Sequence, residues 1–187
     1  MGMPPGGTRA TAGTLKANGF WCPRHTRTFE SSVAYDALLG RYSEKTVWEL
    51  PDKDEDAISI ASKVFDEYRE RTADAGESRC VLKATWMPLW CPDIFIETNV
   101  EPFLVWRDPD KNARSFRQRW ANQCKDKSDE EVLAHCRKGQ ERIEWLHKEY
   151  GWKMWRFSKE AGHTAIRKAF GEPFAVEFFN AERIENV

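Results

Sequence analysis

The chain is short of several things that would place it quickly. No two of its cysteines form a CxxC pair, no apolar run reaches the ~20 residues that a bilayer-spanning helix needs, and neither sign of charge is in surplus. Twenty-nine Lys and Arg stand against 30 Asp and Glu, for a net charge of -1. That balance excludes the broadly basic surface of a general nucleic-acid binder and leaves only local basic clusters as anion sites. Cys22, Cys80, Cys91, Cys124 and Cys136 are odd in number, which excludes a fully paired disulfide framework and reads as reduced, partly buried thiols. Cys22 and His25 have a spacing that a metal accepts, but no second pair follows, so no metal site is expected. The opening MGMPPGGTRATAG lacks the charged-then-apolar order of a secretory signal and the hydroxyl residue of a myristoylation site. The expectation is a cytoplasmic protein without a membrane or nucleic-acid partner. Internal repeats and low-complexity tracts are absent as well.

A chain of 187 residues is long enough to bury a sizeable core and short enough to be one domain, 1–187. Residues 2–8, GMPPGGT, form a Gly/Pro loop. A helix over 9–18 follows, with the small residues Ala10, Gly13, Thr14 and Ala17 on one face and Gly19 where a C-terminal glycine belongs. A further helix is predicted at 31–41. The clearest amphipathic helix spans 54–73, where Ala57, Ile58, Ala61, Val64, Phe65 and Tyr68 keep the i, i+3, i+4 rule and three acidic residues open the first turn. Short apolar runs at 80–83 (CVLK) and 103–106 (FLVW) read as buried strands. A single helix is predicted from 110 to 124 and another over 129–149, with Val132, Leu133, Cys136, Ile143 and Leu146 on one side. Residues 152–157 read as a strand, 163–170 as a short helix closed by Gly171, and 173–179 as an edge strand or packed arm. Short apolar strands alternating with amphipathic helices argue for an α/β domain with a mostly parallel sheet. Ligands of such sheets bind at the carboxyl ends of the strands. Nine tryptophans suit core and interface packing, and some could stack on a planar substrate.

Two stretches carry chemistry. In GMPPGGT and the helix after it, glycine-rich backbone amides and first-turn N–H groups converge on one point, which favours an anion. The loop approaches the Walker pattern GxxxxGK[ST] through the spacing of Gly2 and Gly7, but Thr8 stands at the lysine position and Arg9 after it. The other reading of this stretch is an ordinary flexible end. The second stretch is Arg107-Asp108-Pro109 with Ser115 eight residues past the arginine. It leaves a buried strand and enters a helix, so Arg107 belongs at the sheet's carboxyl edge. There a planar guanidinium and a hydroxyl suit a phosphate. The same residues also read as a plain strand-to-helix turn, with Asp108 or Asp110 as a cap and Arg107 paired to a carboxylate.

Taken together, these stretches resemble the P-loop sulfotransferase family. Its first motif, PxSGTT, is often GMPRSGT in small bacterial members, and Gly2-Met3-Pro4-Pro5-Gly6-Gly7-Thr8 lines up with it. Its second motif is a strand ending in R-D/E-P with a serine eight residues on, matched by Phe103 to Pro109 and Ser115. Val81-Leu82-Lys83 is similar to a lysine-bearing family strand, VxKDP, without its Asp-Pro, and Phe29-Glu30 to an aromatic-acid pair after the first helix.

The resemblance implies a three-layer P-loop NTPase-like domain and 3′-phosphoadenosine 5′-phosphosulfate (PAPS) as co-substrate. It implies sulfuryl transfer, without a metal, to a hydroxyl or amine of a small-molecule or glycan acceptor. Pro5, Gly6, Gly7, Thr8 and Arg9 would hold the 5′-phosphosulfate end, and Arg107 and Ser115 the 3′-phosphate. Arg9 or Lys83 would supply the cation that the family places where this chain has Pro5, and His25 and Glu30 are the candidates for the general base. The strand that precedes a P-loop is missing before Gly2, lies upstream, or is replaced by another segment. Two alternatives remain: a degenerate member that binds nucleotide without turnover, and a small-molecule P-loop kinase, against which the absent Walker lysine counts.

Overall fold

In the computed structural model the described residues are 8–17, 19–21, 55–83, 92–98, 100 and 102–157. Their elements run α1 (Thr8–Ala17), α2 (Glu55–Asp74), α3 (Asp93–Thr98), β1 (Leu104–Arg107), α4 (Pro109–Arg119), α5 (Ala121–Cys124), α6 (Asp129–Tyr150) and β2 (Met154–Phe157). The fold is mixed α/β. β1 and β2 pair in parallel in the register Leu104↔Met154, Val105↔Trp155, Trp106↔Arg156 and Arg107↔Phe157. Parallel neighbours need a long crossover, which α4, α5 and α6 provide.

The strands alternate their side chains between two apolar layers. Leu104 packs with Ile143 and Leu146 of α6, alongside Trp106, Tyr150, Trp152 and Met154. Val105 packs with Trp155 and with Leu15 of α1, alongside Phe20, Val81, Phe103 and Phe157. One face of the strand pair is therefore covered by α6 and the other by α1. A third cluster, made of Ala113, Phe116, Cys124, Val132 and Cys136, joins α4, α5 and α6.

The helix ends follow from local chemistry. Gly19 has φ 85, a left-handed conformation that glycine adopts without a Cβ penalty. There Gly19 N–H donates to Lys16 O at 3.2 Å and Phe20 N–H to Leu15 O at 3.1 Å, and this closure turns Phe20 onto the apolar layer of Leu15. α4 opens on Asp108, whose side chain accepts from Lys111 N–H, with Pro109 at the first helical position. α6 opens on a capping box, in which Ser128 Oγ accepts from Glu131 N–H and the Glu131 carboxylate accepts from Ser128 N–H. The carboxylate that accepts this amide titrates below the usual Glu range. On α2 the buried residues Val64, Phe65 and Tyr68 lie where the amphipathic pattern puts them. Phe65 meets Phe95 of α3 at 6.1 Å between ring centroids, and Arg69 Nη2 donates to Thr98 O at 2.8 Å.

Three sequence expectations are corrected. The helix expected over 110–124 breaks at Trp120, which has φ −123 and ψ 40. The break lets Trp120 stack on Phe116 at 5.6 Å and brings Cys124 into the core. Arg117 braces it by donating to Cys124 O, to Lys127 O and to Asp129 Oδ1. The strand expected at 80–83 contracts to one parallel bridge, Trp21↔Cys80, with Trp21 N–H donating to Arg79 O and Val81 N–H to Trp21 O. Trp21 follows directly on the closure of α1, so among the described residues it offers one paired position. β2 begins at Met154 because Trp152 belongs to the α6 closure, where its carbonyl accepts from His147 Nδ1 at 2.6 Å and its ring stacks on Tyr150 at 4.7 Å. The predicted helices at 31–41 and 163–170 and the arm at 173–179 lie outside the described residues. No helix among the described residues is long and apolar enough to cross a membrane.

Candidate functional site

The site is built where β1 ends. Strand alternation puts Arg107 on the same face as Val105, and its register neighbour is Phe157 of β2. The guanidinium carbon lies 5.6 Å from the centre of the Phe157 ring, a cation–π distance. Asp108 and Pro109 then turn the chain into α4. Two helical turns bring Ser115 back over the strand end, and Arg107 Nη1 donates to Ser115 Oγ at 3.1 Å. Ser115 is 0% exposed and Arg107 5%. Lys111 and Arg114 lie on the exposed face of the same helix.

Beneath this pair runs a buried chain of amides. Arg107 N–H donates to Gln140 Oε1 at 3.1 Å, Gln140 Nε2 donates to Asn112 Oδ1 at 2.9 Å, and Asn112 Nδ2 donates to Cys136 Sγ at 3.5 Å. Gln140 comes from α6 and Asn112 from α4, so both helices hold the strand end.

Burial, more than the nearby Arg119, lowers the pKa of Arg107 from its usual value, while Asp108 and Cys136 act the other way. A guanidinium nonetheless stays charged at neutral pH. Burial pushes the Cys136 thiol up to about 12 against the lowering effect of the Asn112 hydrogen bond, and it pushes the Cys124 thiol up as well. Both thiols therefore stay protonated and are poor nucleophiles. The free thiols among the described residues are Cys80, Cys124 and Cys136. His135, which meets Phe116 edge to face at 5.9 Å, is held down to about 4, chiefly by burial and then by Lys138. A cation with a planar hydrogen-bonding fork beside a hydroxyl can bind and orient an anion.

Of the residues proposed from sequence, Arg107 and Ser115 are brought together. Asp108 takes the capping role of the alternative turn reading at the same time. Thr8 and Arg9 open α1, so their amides belong to its first turn, the positive end of the helix dipole. Lys83 is half-buried on the separate segment that follows the Cys80 bridge. Pro5, Gly6, Gly7, His25 and Glu30 lie outside the described residues. Gln140, Asn112 and Phe157 were not foreseen from sequence. A signal existed for one of them: Gln140 is a polar residue inside the apolar stripe Val132, Cys136, Ile143, Leu146 of α6. Among the described residues no group of three or more His, Cys, Asp or Glu is placed to hold a metal ion. Compared with known proteins, the chain matches no family model, no curated protein and no solved structure.

Proposed function

We propose that this chain is a sulfotransferase-like enzyme on a three-layer P-loop domain, using 3′-phosphoadenosine 5′-phosphosulfate as sulfuryl donor. The observation that carries the reading is the contact of Arg107 with Ser115 at 3.1 Å, at the carboxyl end of a parallel strand. There a guanidinium and a hydroxyl form the 3′-phosphate subsite. The amides of Gly6, Gly7 and Thr8 receive the 5′-phosphosulfate end, aided by the dipole of α1. Arg9 or Lys83 takes the place of the loop cation. An acceptor hydroxyl or amine attacks sulfur in line, its proton passes to His25 or Glu30, and the bond from sulfur to the bridging phosphate oxygen breaks. The leaving group is 3′-phosphoadenosine 5′-phosphate (PAP). Positioning and charge stabilisation do most of the work in such a transfer. Pro5 at the loop's cation position favours one alternative, a nucleotide binder without turnover.

Thermal unfolding with PAP, compared with ATP and magnesium, tests the reading. At 100 times its Kd a ligand adds about 2.7 kcal/mol, which raises Tm by roughly 5–10 °C for a chain of this size. Stabilisation by PAP is the expected result. Stabilisation by ATP and magnesium alone points to a kinase, and no response to either removes the nucleotide site. Transfer of labelled sulfate from the donor separates the enzyme from the silent binder.

A further inference from the structure

We infer that Gln140 is a positioning residue for the anion site, fixing the end of β1 so that Arg107 meets the 3′-phosphate of the nucleotide in a preset orientation. The inference rests on the function proposed above and adds a residue on a different helix to its subsite. Gln140 is 2% exposed on the apolar stripe of α6, where Leu or Met would fill the same space without a polar group to satisfy. Burying an amide there is unfavourable unless both of its ends are bonded, and both are.

The direction of the chain follows from donor and acceptor chemistry. Arg107 N–H can only donate, so Gln140 must present Oε1 to it and Nε2 to Asn112. Asn112 must then receive on Oδ1 and donate from Nδ2 to Cys136 Sγ. Reversing either amide would set two donors or two acceptors face to face, so the arrangement is single-valued. Arg107 is thereby held twice, by its backbone to α6 through Gln140 and by its side chain to α4 through Ser115. Asn112 ties the two helices together at the same level. A guanidinium oriented before the ligand arrives loses less freedom on binding, and the gain falls on the part of the ligand it touches.

The test compares PAP with adenosine 5′-phosphate, which lacks the 3′-phosphate, by calorimetric titration of the full chain. The wild-type protein should prefer the first ligand. Gln140→Met keeps the volume and removes the relay. It should lower that preference about tenfold while the Kd for adenosine 5′-phosphate stays unchanged. Equal weakening of both ligands would make Gln140 an ordinary packing residue, and an unchanged preference would also overturn the inference. A wild-type protein that binds neither ligand or does not distinguish them brings down the functional reading, and this one with it. Should Gln140→Met fail to fold, Asn112→Ala leaves Gln140 in place without its orienting partner and should reduce the preference in the same sense. Hydrogen exchange of the wild-type protein needs no substitution. The Arg107 amide should exchange more slowly with PAP than with adenosine 5′-phosphate, and identical rates refute the coupling.

Discussion

Ser115→Ala perturbs the site by a single oxygen atom. The hydroxyl is fully buried and accepts a hydrogen bond from a charged donor, Arg107 Nη1, at 3.1 Å. Hydrogen bonds to charged groups are worth roughly 1.5–3 kcal/mol, and the better helix propensity of alanine returns a few tenths of that. The net loss is about 1–2.5 kcal/mol, which lowers Tm by about 2–10 °C for a chain of this size. Differential scanning calorimetry without ligand reads this part. The same substitution removes one hydroxyl from the 3′-phosphate subsite. It should therefore weaken PAP binding about tenfold and leave adenosine 5′-phosphate binding as it was. Arg114→Ala is the control: Arg114 neighbours Ser115 on the exposed side of α4, where substitutions usually change stability by no more than about 0.5 kcal/mol. If Ser115→Ala left Tm within the range of that control, the hydrogen bond would contribute nothing. If it weakened both nucleotides equally, the subsite would be wrongly assigned.

Two predictions concern stability alone. His135 has a folded-state pKa of about 4 against an ordinary 6.5, so between those values the unfolded chain holds the extra proton and stability falls as pH falls. That contribution is complete above pH 6.5 and declines toward pH 4 by at most about 3 kcal/mol. Urea denaturation at pH 7 and pH 4.5 should show a smaller drop for His135→Gln than for the wild type, and parallel curves would contradict the assigned environment. Ser128→Ala removes the cap of α6 and should lower stability by about 1 kcal/mol. A midpoint unchanged in thermal melts would mean that the capping box is not formed in solution.

Much of the fold was legible because its signals are local. Gly19 marked the end of α1, the i, i+3, i+4 pattern marked α2 and α6, and the Arg107-Asp108-Pro109 turn marked the passage from strand to helix. The spacing from Arg107 to Ser115 was legible for the same reason, whereas their contact was not, because the direction in which α4 leaves the strand is set by its packing on α6. The break at Trp120 was hidden, because it depends on Cys124 reaching a core shared with Val132 and Cys136 and on Arg117 bridging to the start of α6. The single bridge at Cys80 was hidden too, since an apolar run does not reveal how many partners it will find.

The sequence by itself determined the closure of α1, the turn that opens α4 and the apolar faces of α2 and α6, because caps, glycine closures and apolar periodicity act over a few residues of chain. It also set an arginine and a serine eight residues apart across a strand-to-helix turn. Only the tertiary structure decided the register in which β1 and β2 pair and that α6 covers one of their faces and α1 the other. It alone decided that Gln140, 33 residues along the chain from Arg107, supplies the acceptor for that arginine's amide. Such pairings are selected by which buried polar groups can satisfy one another once the layers are packed, and no local pattern encodes that choice.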